Sequence, residues 1–232
     1  MAETVASNKK DSSKIKTGIR GLDSIIEGGL ASRSFHIIAG GPGTGKTLLC
    51  GQIAYNVAND LGTGVVFVTF EETTEYLLRN LKLVGIDFAP LYKADKLRLL
   101  DLYTIRGEGL EGLFSHIVET IEEINAKVLV LDSLTAFLAA CKTDFELRTF
   151  MKRVEQRLKE LNVTTIATLS ARDKANLGLE AFIADSVMFF ENKMGETNYV
   201  TQFAILKMRG TDHSRRFHRV LLTSEGVNIS SN

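Results

Sequence analysis

Apolar positions follow two rhythms along most of the chain. One is the short apolar run, rich in β-branched and aromatic residues, which is typical of a strand buried on both faces of a sheet. Such runs occupy residues 34–40, 65–70, 97–103, 128–134 and 164–171. The other is a longer segment with apolar residues every three or four positions, which predicts an amphipathic helix. Such segments occupy residues 46–60, 73–85, 110–125 and 144–162.

The regular alternation of strand and helix predicts right-handed βαβ units and a parallel sheet. The rhythm changes after Asp185, where residues 186–192 and 198–209 flank the segment KMGET at 193–197. This arrangement predicts a β-hairpin, and residues 216–223 predict a third antiparallel strand. The expected fold class is therefore α/β, a mostly parallel sheet flanked by helices with an antiparallel C-terminal extension.

The predicted helix at 144–162 has the clearest N-terminal signal. Thr143 and Glu146 stand three residues apart, just ahead of an apolar face, which is the pattern of a capping box. The residues of that face are Phe150, Val154, Leu158 and Leu161.

Length and composition narrow the class of protein. A chain of 232 residues with 44% apolar and 24% charged residues suits one soluble α/β domain. Its two cysteines are too few for a disulfide framework or a cysteine metal cluster. No apolar run approaches the ~18 residues of a membrane span. Residues 1–14 are polar and lack an apolar signal core, so they predict a disordered leader before a single domain at 15–232, in a cytoplasmic protein.

The segment GGPGTGKT at 40–47 fits the phosphate-binding pattern G-x-x-x-x-G-K-[ST] in full, between a predicted strand and a predicted helix. Glycines allow backbone N–H groups to surround phosphate oxygens, and the helix that begins near Gly45 adds its positive dipole. Lys46 supplies charge for the outer phosphates, and Thr47 offers a hydroxyl to Mg²⁺. The candidate contacts to a nucleoside triphosphate are Gly41, Pro42, Gly43, Thr44, Gly45, Lys46, Thr47 and Leu48.

Three acids follow predicted strands at the edge of the sheet where ligands bind. Asp132 ends a buried strand, where a carboxylate is costly unless it faces a cation or donors, so it is a candidate Mg²⁺ ligand, directly or through water. Glu71 and Glu72 lie just past another strand, and we expect one of them, with Glu71 preferred, to activate water. Glu71 is also a candidate metal ligand. The alternative for all three acids is that they stabilise the N-termini of the following helices.

Several stretches together resemble the KaiC family within the RecA-like ATPases. They are TGIRGLDSIIEGGL, GGPGTGKT, FVTFEETTEYLLRN, VLVLDSLTAF and ILKMRGTDH, and the resemblance runs from about Ile15 to the C-terminus. The double glutamate and the K-M-R-G-T-x-H stretch are far more specific than the phosphate loop, which many folds share.

The resemblance implies a RecA-type core and a ring, commonly a hexamer, with ATP between adjacent subunits. It implies that Glu71 and Glu72 act in hydrolysis. It also implies that Lys207 and Arg209 reach the nucleotide of the neighbouring subunit, with the remaining nucleotide contacts of this stretch at Met208 and His213.

The chain departs from the clock-type members of that family in two ways. Those proteins have two tandem domains, whereas this chain has one. Their autophosphorylating domain has adjacent Ser and Thr just ahead of an I-T-D segment, whereas the matching stretch here is EAFIADS, with Ala181 and Phe182 in those places. Neither residue has a hydroxyl, so autophosphorylation at the usual site is not expected.

The stretch KMRGTDHSRRFHR at 207–219 contains five cations, although the whole chain has zero formal net charge. It is open to three interpretations: a solvated hairpin, a nucleic-acid surface in which Phe217 stacks on a base, or cations that contact phosphate. Lys207 and Arg209 are two residues apart, so on a strand both point to one face. With the phosphate loop and the resemblance, this favours an arginine-finger role for the pair.

The other basic side chains of this stretch, Arg215, Arg216 and Arg219, are left unassigned. His213 and His218 have no third ligand nearby in the sequence, so a metal site there is rejected.

The function that we expect is Mg²⁺-dependent ATP binding and hydrolysis by a homo-hexameric ring with a regulatory or signalling role. One alternative is a DNA-binding mediator of repair or recombination, with DNA along the loop at 170–182, although Arg172 and Lys174 are balanced there by Asp173 and Glu180. The other alternative is an ATP-gated scaffold with negligible turnover.

Overall fold

The computed structural model describes residues 14–102, 109–139, 141–174, 177–195, 198–224 and 226–230. Most of the predicted leader, residues 1–13, and two residues of the predicted hairpin turn, 196 and 197, lie outside this part of the chain. The leader was expected to end at Lys14, but this residue begins the first strand. Its ammonium donates to the carbonyl oxygens of Ile26, at 3.0 Å, and Glu27, at 2.8 Å, which fixes it in place.

Strands and helices alternate along the described residues. The strands are β1 (Lys14–Ile15), β2 (Leu30–Ala31), β3 (Phe35–Gly40), β4 (Val65–Thr69), β5 (Leu97–Asp101), β6 (Val128–Asp132), β7 (Thr164–Ser170), β8 (Ser186–Met194), β9 (Tyr199–Met208), β10 (His218–Thr223) and β11 (Gly226–Ile229). The helices are α1 (Leu22–Ile25), α2 (Lys46–Asp60), α3 (Thr74–Lys82), α4 (Ala89–Lys93), α5 (Gly109–Glu123), α6 (Leu134–Leu138), α7 (Asp144–Glu160) and α8 (Leu179–Ile183).

Nine strands form one sheet in the order β11-β10-β9-β8-β3-β7-β6-β4-β5, and β1 pairs with β2 separately. The six strands from β8 to β5 in this order are parallel, and β9, β10 and β11 are antiparallel. The predicted fold class is confirmed. The first strand of the predicted hairpin, β8, nevertheless pairs in parallel with β3, so the antiparallel extension begins only at β9.

Helices cover both faces of the sheet, because successive side chains of each strand alternate between the two faces. In β4, Val65 and Phe67 pack into the core beneath α2, α3 and α4, whereas Val66 and Val68 pack into the core beneath α5 and α7. The continuous apolar runs in the sequence therefore correspond to strands that are buried on both sides.

The N-terminus of α7 differs in detail from the predicted capping box. The hydroxyl of Thr143 accepts from the backbone N–H of Glu146 at 3.1 Å, as expected. The Glu146 carboxylate, however, accepts from the N–H of Lys142 rather than from that of Thr143. The side chain therefore satisfies a donor one residue before the helix cap.

A β-bulge in β9 sets the direction of the basic side chains that follow it. Met188 pairs with Ile205 but Val187 pairs with Lys207, so Leu206 is the extra residue. Lys207 consequently points toward α8, where its Nζ donates to the Ala181 carbonyl at 3.0 Å.

Candidate nucleotide site

The predicted phosphate loop and the predicted acids meet at the carboxyl edge of the parallel sheet. The loop connects the end of β3 to the start of α2 at Lys46. Glu71 and Glu72 follow the end of β4, and Asp132 ends the adjacent strand β6. The topology thus brings together residues that are up to 92 positions apart in the sequence, counting from Gly40 to Asp132.

The phosphate loop requires glycine at its start for steric reasons. Gly40 has a φ of 154°, and a Cβ at this position would lie 2.6 Å from the carbonyl oxygen of Phe190 on the neighbouring strand. A larger residue would therefore separate β3 from β8 at the point where the loop begins.

Lys46 is held by the loop that precedes it. Its ammonium donates to the carbonyl oxygens of Gly40, at 2.9 Å, and Gly41, at 2.7 Å. Burial lowers the pKa of Lys46, and the nearby carboxylate of Asp132 partly opposes this. A partly buried ammonium is thus aimed into the curve of the loop, where an anion would offset its desolvation.

Asp132 lies in a set of oxygen-bearing side chains. Its carboxylate accepts a hydrogen bond from the hydroxyl of Thr168. Burial raises the pKa of Asp132, while the hydroxyls of Thr168 and Thr47 lower it in part. A hydroxyl and a carboxylate are hard oxygen donors, which is the donor chemistry that Mg²⁺ prefers.

The two glutamates have different partners. Glu71 accepts a short hydrogen bond from the hydroxyl of Ser133, the residue after Asp132, so its carboxylate is tied to the end of β6. Glu72 is fixed through its backbone, because its carbonyl accepts from the Thr69 hydroxyl at 2.7 Å. Burial raises the pKa of the Glu72 carboxyl, and the charges of Asp132 and Glu71 raise it further.

A cavity of about 360 Å³ opens beside the phosphate loop. Glu72 lines it together with Lys46 and Thr47, and much of the remaining wall is apolar. That wall consists of Leu48, Leu77, Leu81, Val84 and Leu222, with the amide of Asn80 among them. The lining of the cavity thus combines charged with apolar side chains, as a ligand with both phosphate and a flat ring system would need.

Lys207 and Arg209 lie at the opposite edge of the sheet. Met208, between them, pairs with Ser186, the first residue of β8, whereas Gly40 is the last residue of β3. Through Ser186, Met208 is level with His36 of β3, which is four residues before Gly40, or roughly 13 Å along the strand. These side chains are therefore not part of the phosphate-loop cluster of their own subunit.

The two cations nevertheless converge, as their spacing predicted. Lys207 and Arg209 both donate to the carbonyl oxygen of Phe182, at 3.0 and 3.1 Å. Arg209 also lies 3.5 Å from the carboxylate of Asp185. Burial lowers the pKa of Lys207, and the adjacent Arg209 lowers it further.

The other predicted residues of this stretch have different environments. Met208 is half-buried and packs on the core beneath α2. The ring of His213 lies 3.4 Å from the carbonyl of Thr211, and its backbone N–H donates to Asp212. His218 is buried, with its ring between the Ser230 carbonyl and the Ser214 hydroxyl, so it has a structural role.

Two absences in the described part of the chain bear on function. No group of three or more His, Cys, Asp or Glu side chains could hold a metal ion by themselves. Among the same residues, no helix has the length and apolar character required to cross a membrane.

Several residues of the site are missed by local sequence reasoning. Thr168 lies mid-strand in an apolar run, and Leu222 lies in β10, more than 170 positions after the phosphate loop. Neither has a motif of its own. The pairing of β6 with β7 brings Thr168 to Asp132, and the position of the β10–β11 hairpin over α2, where Gln52 accepts from the Val227 N–H, brings Leu222 to the cavity.

A parallel sheet with a phosphate loop after its central strand, an aspartate at the end of a neighbouring strand and an antiparallel extension defines a P-loop protein with a RecA-like core. The chain belongs to the KaiC ATPase family: the family described as "ATPase: KaiC" matches residues 15–232.

Relatives and one solved structure agree with this family. The chain is 34% identical over 227 residues to the circadian clock oscillator protein KaiC of Picosynechococcus sp. and 31% identical to that of Synechococcus elongatus. Both matches cover 93% of this chain but only 44% of the relative. The crystal structure of a KaiC-like protein from the hyperthermophilic archaeon Pyrococcus horikoshii OT3 superposes with a TM-score of 0.86 at 30% identity, covering 94% of this chain and 99% of that one.

Proposed function

We propose that the protein is a Mg²⁺-dependent ATPase in which residues 15–232 form one domain. Its subunits assemble into a homo-hexameric ring with ATP between adjacent subunits, and the ring acts in regulation or signalling. One observation carries this proposal. Lys46, Thr47, Asp132 and Glu71 gather at one edge of the sheet, while Lys207 and Arg209 converge at the opposite edge. Two halves of one phosphate site on opposite edges are completed when subunits pack head to tail.

The phosphate half of the proposed site follows from charge and backbone geometry. In the proposed complex, the loop at 41–48 surrounds the phosphates, and the Lys46 ammonium exchanges its two carbonyl acceptors for phosphate oxygens. A charged acceptor makes a stronger hydrogen bond than a carbonyl, so ATP would replace these contacts without leaving the ammonium unpaired.

Thr47 and Asp132 are the residues that would hold Mg²⁺, with Glu71 within reach through its link to Ser133. When bound, the ion would neutralise charge on the phosphate oxygens and orient them. The effect of the Thr47 hydroxyl on the pKa of Asp132 supports this assignment, because it indicates that the two oxygen donors lie near each other.

Glu71 is the residue that we assign to water activation. Its carboxylate is oriented by a hydroxyl donor, which leaves the second oxygen to accept a proton or a hydrogen bond from water. Glu72 would assist from the cavity wall, where burial and the charges of Asp132 and Glu71 raise the pKa of its carboxyl.

Lys207 and Arg209 would act on the nucleotide of the adjacent subunit, with Met208 and His213 contributing further contacts. Both cations now share one carbonyl acceptor, so a γ-phosphate presented by a neighbour offers them a stronger, charged acceptor. We expect hydrolysis without autophosphorylation at Ala181 and Phe182, since neither side chain has a hydroxyl.

The proposal is tested by single-turnover release of phosphate from γ-labelled ATP, comparing the parental protein with Glu71→Gln. We expect Mg²⁺-dependent hydrolysis that Glu71→Gln slows by at least about 100-fold, since general-base contributions are about 10²–10⁴. Glu75→Gln, an exposed glutamate on α3, is the matched control. Equal, slow hydrolysis by parental protein and Glu71→Gln would favour the ATP-gated scaffold instead.

A further inference from the structure

An aromatic ring flanked by two ammonium groups lies on the surface and is not used by the proposed ATPase mechanism. The Nζ atoms of Lys174 and Lys193 lie 4.2 and 4.7 Å from the centre of the Phe217 ring, which is 42% exposed. We call these three residues the lysine–phenylalanine cluster. They come from the loop after β7, the end of β8 and the segment before β10, so the fold brings them together from three places in the chain.

The charge balance around the cluster differs from the one that the sequence indicates. In the sequence, the loop at 170–182 has two cations and two acids, and Glu180 is one of these acids. In the structure Glu180 is buried, and its carboxylate accepts from the N–H of Gly178 at 2.9 Å. It is therefore turned away from solvent, and the exposed surface of this loop is more basic than its composition indicates.

Further positive charge lies next to Phe217 in the chain. Arg215 and Arg216 immediately precede Phe217 in the chain, and both are exposed. Acids also adjoin the cluster: the Glu191 carboxylate lies 3.7 Å from the Lys193 ammonium, and the exposed Asp173 precedes Lys174 in the chain. Two lysines thus flank the exposed ring and two exposed arginines precede it in sequence, on a chain whose formal net charge is zero.

This combination fits a ligand that alternates phosphate groups with flat rings. Isolated phosphate would need the cations but not the phenyl ring, and a duplex would present its phosphates with its bases stacked inside. Single-stranded nucleic acid offers both groups, and proteins that bind it combine basic surfaces with aromatic side chains on which bases stack. We propose that the lysine–phenylalanine cluster is a binding surface for single-stranded nucleic acid.

The free protein keeps this surface assembled. The two ammonium groups lie against the ring through cation–π contacts, which are weak at exposed positions. On binding, a lysine would move from the ring to a phosphate, and a base would take its place on the phenyl face. Stacking on an aromatic side chain is generally the stronger of these two contacts, so the exchange is favourable.

The proposed surface adjoins the trans-acting cations but is separable from them. Lys174 also lines a groove of about 450 Å³ that Lys207 and Arg209 line, whereas Phe217 and Lys193 do not. Variants at Phe217 and Lys193 therefore test the surface with the cations of the proposed ATPase site left intact.

The test is fluorescence anisotropy of labelled oligothymidylate and oligouridylate of about 20 nucleotides, at 50 and 200 mM salt. We expect binding at low salt that weakens steeply with added salt. Phe217→Ala should weaken it by about 5- to 150-fold, as expected for one lost stack of about 1–3 kcal/mol, and Phe217→Tyr should retain it. The two probes distinguish DNA from RNA.

The matched control removes the same charge elsewhere. Lys174→Ala/Lys193→Ala should weaken binding, while Lys82→Ala/Lys93→Ala, two exposed lysines on α3 and α4 near the other end of the sheet, should not. The proposal is overturned by no binding at 50 mM salt, by equal loss in both double variants, or by unlabelled duplex competing as well as single strands. Binding to vesicles that contain phosphatidylserine, with none to either oligonucleotide, would also overturn it. ATP hydrolysis of each variant is measured in parallel, so that the two proposals fail independently.

Discussion

At the scale of single residues, Asp132 shows how a functional position lowers stability. Burial raises its pKa, so folding acts against its ionisation, and this cost is present at pH values above its pKa in the folded protein. Its hydroxyl partners, Thr168 and Thr47, reduce the cost but do not remove it. A carboxylate kept under these conditions is consistent with a role that needs its charge.

We therefore predict opposite effects of Asp132→Asn on stability and on turnover. Without nucleotide at neutral pH, the neutral amide should raise the free energy of unfolding by about 0.5–2 kcal/mol. The gain should shrink as pH falls through the raised pKa of Asp132, because the parental residue then becomes neutral as well. Mg²⁺-dependent hydrolysis should be lost. Urea unfolding at several pH values and phosphate release measure these effects; a stability that falls at neutral pH would contradict the account.

Lys46 is expected to be the main charge that holds the outer phosphates. Lys46→Ala should weaken ATP binding by about 10- to 150-fold, since a hydrogen bond to a charged group contributes about 1.5–3 kcal/mol. Equilibrium binding of a fluorescent ATP analogue measures this, with Lys93→Ala on α4 as the control. Unchanged ATP affinity in Lys46→Ala would remove the loop at 41–48 from the proposed site.

The sequence is most informative about residues whose chemistry is tied to a local motif. Lys46 and Thr47 are proposed from their spacing, and Glu71 and Asp132 from their positions at the ends of buried strands. Leu222 is not, because an apolar residue in an amphipathic strand looks the same whether it lines a ligand cavity or a core. Glu180 shows the converse, since an acid in a loop is counted as exposed although the fold turns it inward.

At the scale of elements, the N-terminus of α7 depends on one hydroxyl. The Thr143 side chain accepts from the N–H of Glu146, which has no partner within the helix. Thr143→Ala should lower the free energy of unfolding by about 1 kcal/mol, the usual effect of losing an N-cap. Thr149→Ala, at an exposed interior position of α7, is the control and should be neutral or slightly stabilising, because Ala has the higher helix propensity. Equal effects of the two substitutions in denaturant unfolding would contradict the capping role.

The long elements were predicted to within a few residues, and the short ones were not. The four helices of 15, 9, 15 and 17 residues show the helical period several times over. The missed helices α1, α4, α6 and α8 have four or five residues each, which is too short for any period to appear. The bulge at Leu206 was also beyond sequence reasoning, because it arises from pairing with β8 rather than from the residues of β9 alone.

At the scale of the whole molecule, the two halves of the proposed site lie on opposite edges of one sheet. Arg209 follows Met208, which is level with His36 near the amino end of β3, whereas Lys46 follows the carboxyl end of that strand, so the length of β3 separates the two side chains within one subunit. A complete site therefore requires assembly of subunits, which the sequence of one chain indicates only through the resemblance to the KaiC family. In the proposed ring, Glu71 and Arg209 act on the same nucleotide from different subunits.

The most direct test mixes two inactive variants, Glu71→Gln and Arg209→Ala, by co-refolding. Each alone should be nearly inactive, since an arginine finger contributes about 10³–10⁵ in rate and the base a further large factor. Random equal mixing restores an intact glutamate opposite an intact arginine at about a quarter of the interfaces, if each interface acts independently. We predict phosphate release that rises with mixing to roughly a quarter of the parental rate. Activity that stays flat at every ratio, in rings whose mixed composition is verified by native mass spectrometry, would contradict the trans-acting role of Arg209.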